Sequence, residues 1–131
     1  MTTFTVQSRA RNELIDITAE VAQTVRQSGV QSGVCHICVP HTTAGVTINE
    51  NADPDVPRDI LAALAKVFPE RGDYRHSEGN SDAHIKTSLV GSSVTVMIDA
   101  GRLVLGTWQS VFFCEFDGPR SRKVHCTVIR A

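Results

Sequence analysis

The chain has 131 residues, with 13 Lys and Arg against 14 Asp and Glu, a formal net charge of -1 and 41% hydrophobic residues. That length suits one domain that buries roughly two thirds of the surface its unfolded chain exposes. The near balance of charge argues against a global field that would draw in nucleic acid or acidic lipid. Aromatic residues make up 5%, and none is interleaved with a basic run, so a base-stacking platform is not expected.

The opening stretch "MTTFTVQSRARNELID" has no apolar segment of the secretory kind, and nowhere do about 18 apolar residues run together as a membrane helix would require. A cytoplasmic protein without a membrane segment is the expectation. "FTVQS" and "NELIDI" read as strands, and the second leads into a helix over "TAEVAQTVRQSG". There Val21 and Val25 share a face, Thr18 is placed to cap, and Gly29 to stop the turn. "GVCHICV" and "GVTINE" follow as strands rich in Val and Ile. "DPDVPRDILAALAKVFP" is the clearest helix, with Asp55 as the expected cap, Pro57 in the first turn and a stripe of Ile60, Leu61, Leu64 and Phe68.

The polar stretch "ERGDYRHSEGNSD" is the longest candidate loop, and long ordered loops more often carry function than stability. "SDAHIKTSLVG" then makes a short helix, with Ser81 as the expected cap and Gly91 as the stop. The remainder reads as β: "SVTVMI", a turn at "DAGR", "LVLGTWQSVFFCEFD", a turn at "GPRSR", and "KVHCTVIR". Hairpins with helices inserted between strands imply one α+β domain over residues 1–131, a largely antiparallel sheet or sandwich with about three helices.

Four cysteines occur, Cys35, Cys38, Cys114 and Cys126. The C-x-x-C of "VCHICV" invites a zinc or redox reading, but a strand's period of two puts Cys35 and Cys38 on opposite faces. A zinc ribbon would also need a second matching pair. They are expected to be small strand residues in a reducing compartment.

Of the five histidines, His36 and His125 alternate with apolar neighbours inside strands and are expected at a solvent face. His41 stands just past a strand end, His76 in the long loop and His84 in the first turn of the short helix. A rigid scaffold can bring such positions to one concave site, and three imidazoles meeting there would make an open metal site. Pro40 can end a strand ladder because it lacks an N–H. His41 is then presented at the sheet's end, with the Thr42 and Thr43 hydroxyls beside it and Glu50 expected within reach. Glu115 sits between bulky apolar residues in "VFFCEFD", where an ion is costly unless paired. Arg122, across the "GPRSR" turn, is its candidate partner, and anion binding is the competing role for that arginine. Trp108 and Gln109 in "GTWQS" add an indole N–H and an amide.

Taken together, "HTTAGVTINENADPDVPRDI", "YRHSEGNSDAHIKTSLVG" and "GRLVLGTWQSVFFCEFDGPRSRKV" resemble the YjbQ family, small proteins also labelled secondary thiamine-phosphate synthases. The likeness covers most of Val39 to Val124; the first residues match in pattern only. The resemblance implies an α+β fold rich in antiparallel sheet and a homotrimer with polar sites near its subunit contacts. It implies His41, Glu50 and Glu115 as catalytic residues and His41, His76 and His84 as ligands of a divalent metal, zinc or magnesium. Thr42, Thr43, Asn51, Trp108, Gln109 and Arg122 would bind a small, phosphorylated substrate. The implied activity is a transferase, as a secondary role, joining a pyrimidine methyl diphosphate to a thiazole phosphate with pyrophosphate leaving. No glycine-rich phosphate cradle accompanies it, and basic candidates are few (Arg120, Arg122, Lys123 and Lys86). The alternatives are a metal-dependent, hydrolase-like enzyme and a non-catalytic trimer that binds a metal or small molecule.

Overall fold

The computed structural model describes residues 1–131. Eight strands and three helices follow one another as β1 (Thr2–Gln7), β2 (Glu13–Asp16), α1 (Thr18–Ser28), β3 (Gly33–Cys38), β4 (Ala44–Glu50), α2 (Asp55–Val67), α3 (Ser81–Val90), β5 (Ser93–Asp99), β6 (Arg102–Leu103), β7 (Gln109–Glu115) and β8 (Ser121–Arg130). They form a five-stranded sheet in the order β1-β8-β3-β5-β6 and a three-stranded sheet in the order β2-β7-β4. Every pairing is antiparallel. This is the α+β architecture expected from the hairpin pattern.

The small sheet is the middle layer. Its β7 carries Val111 and Phe113 into the main core with Cys35, Ile37, Val96, Val124 and the α1 valines. Phe112 and Cys114 point the other way, into a second cluster with Ala83 and Phe116 that Leu61 of α2 and Val90 of α3 cover. A strand buried on both faces reads as an unbroken apolar run, which is why "VFFC" shows no alternation.

The strand's period of two also decides where Glu115 goes. It shares the parity of Val111 and Phe113, so its carboxylate faces the large sheet at the core's edge. Arg122 faces inward from β8 with the same parity as the buried Val124 and Cys126.

Several local expectations change. Thr18 lies inside the first turn of α1 and is not its cap; Asp16 Oδ1 accepts from the Thr18 N–H at 2.9 Å instead. Asp53 likewise takes the Asp55 N–H at 2.9 Å, so the acid two positions upstream of Asp55 does the capping. Ser81 opens α3 without a side-chain cap bond. Gly29 does end α1 in the left-handed region, with φ 69°. The apolar stripe of α2 is only half-buried, since no residue of that helix is fully enclosed. "LVLGTWQSVFF" is not one strand: β6 stops at Leu103, and Trp108 stands in a turn, 62% exposed. Cys35 is buried while Cys38, on the opposite face, is half-buried, and all four cysteines are free. His36 and His125 lie on the outer face of the large sheet, bonded to Thr95 and Thr3 hydroxyls.

Candidate functional site

Two turns and a helix start meet where β3 ends and β8 begins. Pro40, His41, Thr42 and Thr43 follow β3, Asp117 and Arg120 precede β8 and Arg122 lies at its start. Glu78, Asn80 and His84 come from the long loop and α3. Together they line a cavity of about 350 Å³ whose wall is polar or charged apart from Pro40.

His41 Nε2 accepts the Lys123 backbone N–H at 2.9 Å. A backbone amide can only donate, so the neutral ring carries its proton on Nδ1. Burial, and then the Arg122 charge, lower the pKa of His41 below its ordinary value. It therefore stands at neutral pH as an uncharged donor.

Beneath the cavity floor, Glu115 is fully buried and receives five hydrogen bonds. Ser8 Oγ donates to Oε1 at 2.6 Å, and Arg122 Nε to the same oxygen at 2.9 Å. The Phe116 and Asp117 N–H groups each reach Oε2 at 3.1 Å, where Arg122 Nη2 also donates. Burial alone would raise the Glu115 pKa, but the Arg122 and Ser8 hydrogen bonds outweigh it and hold the carboxyl below the usual range. Arg122 Nη2 also donates to Thr43 Oγ1 at 2.9 Å. With every lone pair occupied, Glu115 orients Arg122 and Thr43 and has no free oxygen to take a substrate proton.

The long loop forms the opposite wall. The His76 and His84 rings meet edge to face with centroids 5.4 Å apart, and His76 Nε2 lies 3.6 Å from Glu78 Oε2. His84 borders a second cavity of about 490 Å³ as well, where Tyr74, His76 and Ile85 add ring and aliphatic surface. Within one chain, no three His, Cys, Asp or Glu side chains converge closely enough to grip an ion. His76 and His84 are neighbours, and His41 faces His84 across the first cavity with its Nε2 already engaged.

The remaining expected residues lie elsewhere. Ala44 pairs with Glu115, whereas Glu50 pairs with Gln109 at the far end of the same ladder. Six residues of strand put Glu50 about 20 Å from the His41 end. Asn51 accompanies it, donating from its side chain to Asp16 Oδ2 at 2.8 Å and from its backbone to the Trp108 carbonyl at 3.2 Å. Gln109 Oε1 accepts the Gly106 N–H at 2.8 Å and shapes the turn that carries Trp108. Thus Glu50, Asn51, Trp108 and Gln109 form a separate group within one chain.

Sequence reading passed over Ser8, Arg11, Asn80, Asp82 and Asp117. Arg11 reaches Asp82 and Asp117 at 3.1 and 3.2 Å, and the buried Lys86 meets Asp82 at 2.8 Å. Burial works against the Asp82 charge, yet Lys86 and Arg11 prevail and lower its pKa. These partners are 71 and 106 residues from Arg11, and no local pattern announces them. The one available signal was charge inside otherwise apolar or small-residue runs, as in "SDAHIK".

The fold and site define a small antiparallel α+β protein with a loop-built, largely polar cavity beside a sheet end. Residues 2–131 match the family described as UPF0047 protein YjbQ-like. The chain is 50% identical to a UPF0047 protein of Methanocaldococcus jannaschii over 126 residues, 96% of this chain and 91% of that one. It is 52% identical to the UPF0047 protein YugU of Bacillus subtilis over 121 residues, 92% of each. A crystal structure of an uncharacterized conserved protein of this family from Clostridium acetobutylicum superposes with a TM-score of 0.97 at 55% identity, covering 98% of this chain and all 100% of that one. The chain belongs to the YjbQ/UPF0047 family.

Proposed function

We propose that the His41 cavity binds the anionic end of a phosphorylated small molecule and that the chain acts on it as a transferase. Formation of thiamine phosphate is the specific reaction, carried as a secondary activity. The observation that carries this reading is the wall of the cavity. It is lined by His41, Thr42 and Arg120, each a hydrogen-bond donor, with Pro40 the one apolar side chain among its lining residues. The adjoining cavity, reached past His84, offers Tyr74 and Ile85 to an organic ring.

In the proposed step a thiazole nitrogen attacks the pyrimidine methylene. The new C–N bond forms as the C–O bond to diphosphate breaks, and pyrophosphate leaves with the electron pair. No base is consumed, so the demand on the protein is stabilisation of charge on the leaving group, which fixed donors supply. A divalent cation would add charge neutralisation, and Glu78 would be its carboxylate ligand in the wall, since both Asp117 oxygens are already held by Arg11, Arg120 and Asn80.

The test is thiamine-phosphate formation by the wild type, His41→Ala and Arg120→Ala. Losing one such donor costs about 10²–10³ in rate; equal rates in wild type and His41→Ala overturn the reading. A second reading, a zinc-dependent hydrolase-like enzyme, draws on the adjacent His76 and His84 rings, since imidazole suits zinc. Elemental analysis of the purified protein separates the two. Two further proposals accompany the first. The chain acts in the cytoplasm, consistent with its four free cysteines. It also works as a homotrimer, for which the exposed Met97, Val104 and Ile129 at one end of the large sheet supply apolar surface to cover. No helix is long and apolar enough to cross a membrane.

A further inference from the structure

Arg11 precedes β2 on a short loop, and its guanidinium makes four polar contacts to segments far away in the chain. Its Nη1 meets Glu70 at 3.4 Å and Asp117 at 3.2 Å. Its Nη2 donates to the Gly79 carbonyl at 3.4 Å and to Asp82 at 3.1 Å. Glu70 opens the long loop and Gly79 closes it. One guanidinium therefore pins both ends of the segment that carries His76 and Glu78.

The same fork grips Asp117, whose other oxygen takes the Arg120 Nη2 at 3.1 Å and the Asn80 amide at 2.9 Å. Arg120 and Asp117 line the His41 cavity, as do Glu78, Asn80 and His84. A planar fork with several donors can hold this set of acceptors at fixed angles, which the point charge of a lysine cannot.

Two buried polar atoms without a partner, Arg11 Nε and Asn80 Oδ1, belong to side chains that share the Asp117 carboxylate.

We propose that Arg11 is a positioning residue for the cavity: it touches no substrate, and it sets where the loop histidine, Glu78 and Arg120 stand relative to His41. The proposal rests on the cavity being the binding site, but its first readout does not. Displacement of a catalytic wall by about 1 Å can cost about 10²-fold, so the clamp is expected to matter although it lies outside the cavity.

The experiment compares wild type, Arg11→Ala, Arg11→Lys and Arg58→Ala, a control in which an exposed arginine of α2 is removed. Amide exchange over residues 70–80 is measured first. Affinity for inorganic phosphate follows, from His41 and His84 imidazole NMR signals. Arg11→Ala is expected to speed loop exchange at least about tenfold, leave exchange in β3 and β7 unchanged, and weaken phosphate binding about tenfold or more. Millimolar guanidinium should restore both, because the Arg11 side chain is 27% exposed and its site open to a small cation. Arg11→Lys should stay impaired. Unchanged loop exchange in Arg11→Ala overturns the proposal, as does a loss of binding that guanidinium fails to restore. Wild type that ignores phosphate overturns the cavity reading instead, and the exchange data still decide the clamp.

Discussion

The two ends of the β4–β7 ladder hold the same kinds of residue and are built in opposite ways. At the His41 end a carboxylate is sealed, saturated with five donors and locked to an arginine from the other sheet. At the Glu50 end the carboxylate is half-exposed, and its neighbour Trp108 projects into solvent. Burial with a full set of partners makes an acid into a fixed strut. Exposure leaves it free but unplaced. A catalytic constellation needs positions held within a fraction of an ångström, and only the His41 end has the supporting contacts to hold them.

Breaking the sealed end is expected to have the largest effect. Glu115→Ala leaves Arg122 buried without a counterion, which costs about 3–5 kcal/mol. For a chain of this size that lowers the melting temperature by about ten degrees or more, measured by calorimetry. Arg122→Met with Glu115→Leu is expected to recover only part of that loss, since it removes the stranded charge but leaves the Ser8 hydroxyl and the Phe116 and Asp117 N–H groups without their acceptor.

His41→Ala is expected to remove phosphate binding while moving stability by less than about 1 kcal/mol, because it gives up one hydrogen bond at a half-buried position. Glu50→Gln sharpens the contrast: within one chain it lies too far away to act, so activity should stay within about twofold. A large loss of activity at unchanged melting temperature would mean that the Glu50 end of one subunit closes over the His41 cavity of another. Sedimentation of Trp108→Ala is the companion measurement. The exposed indole should matter little to folding, within about 0.5 kcal/mol, and a shift in assembly would place it in a subunit contact.

The smallest effect is in pH dependence. The pKa of His41 is lowered on folding, so its contribution to stability is present above the unfolded value of about 6.5 and fades as pH falls through the folded value. Glu115 and Asp82 are also lowered. Their contribution is complete above about 4.3 and 3.9 respectively and is lost in more acid solution. Stability should therefore decline in two stages on acidification, a shallow one below about pH 6.5 and a steep one below about pH 4. In Glu115→Gln the second stage should flatten.

Much of the fold was legible because it follows from periodicity. The alternation of β3, the Gly29 stop and the unbroken apolar run of β7 each have one physical reading. The Glu115–Arg122 pair was legible for the same reason, since an acid amid phenylalanines must be neutralised by something near. Two caps were misread by two positions, because Asp16 and Asp53 upstream take the N–H groups of Thr18 and Asp55. The site was half legible. His41, Thr42 and Thr43 share a turn, but Glu50 seemed close to them only while the rigid length of the intervening strand went uncounted. Arg11, Ser8 and Asp117 were invisible, because their partnerships exist only once the two sheets have closed.

β8 is last among the strands in the chain and second in the large sheet, hydrogen-bonded to β1 on one side and β3 on the other. Until residues 121–130 are available, β1 has no strand to pair with and β3 presents a bare edge. Pairings between distant parts of a chain form slowly, and unpaired edges are where chains stick to one another. During synthesis this fold is thus exposed to aggregation until β8 has been made. The cavity appears in the same late event, since Arg122 and the Lys123 amide that fixes His41 arrive on that strand. Fragments ending before Ser121 are expected to be insoluble and unable to bind phosphate, whatever helices they retain.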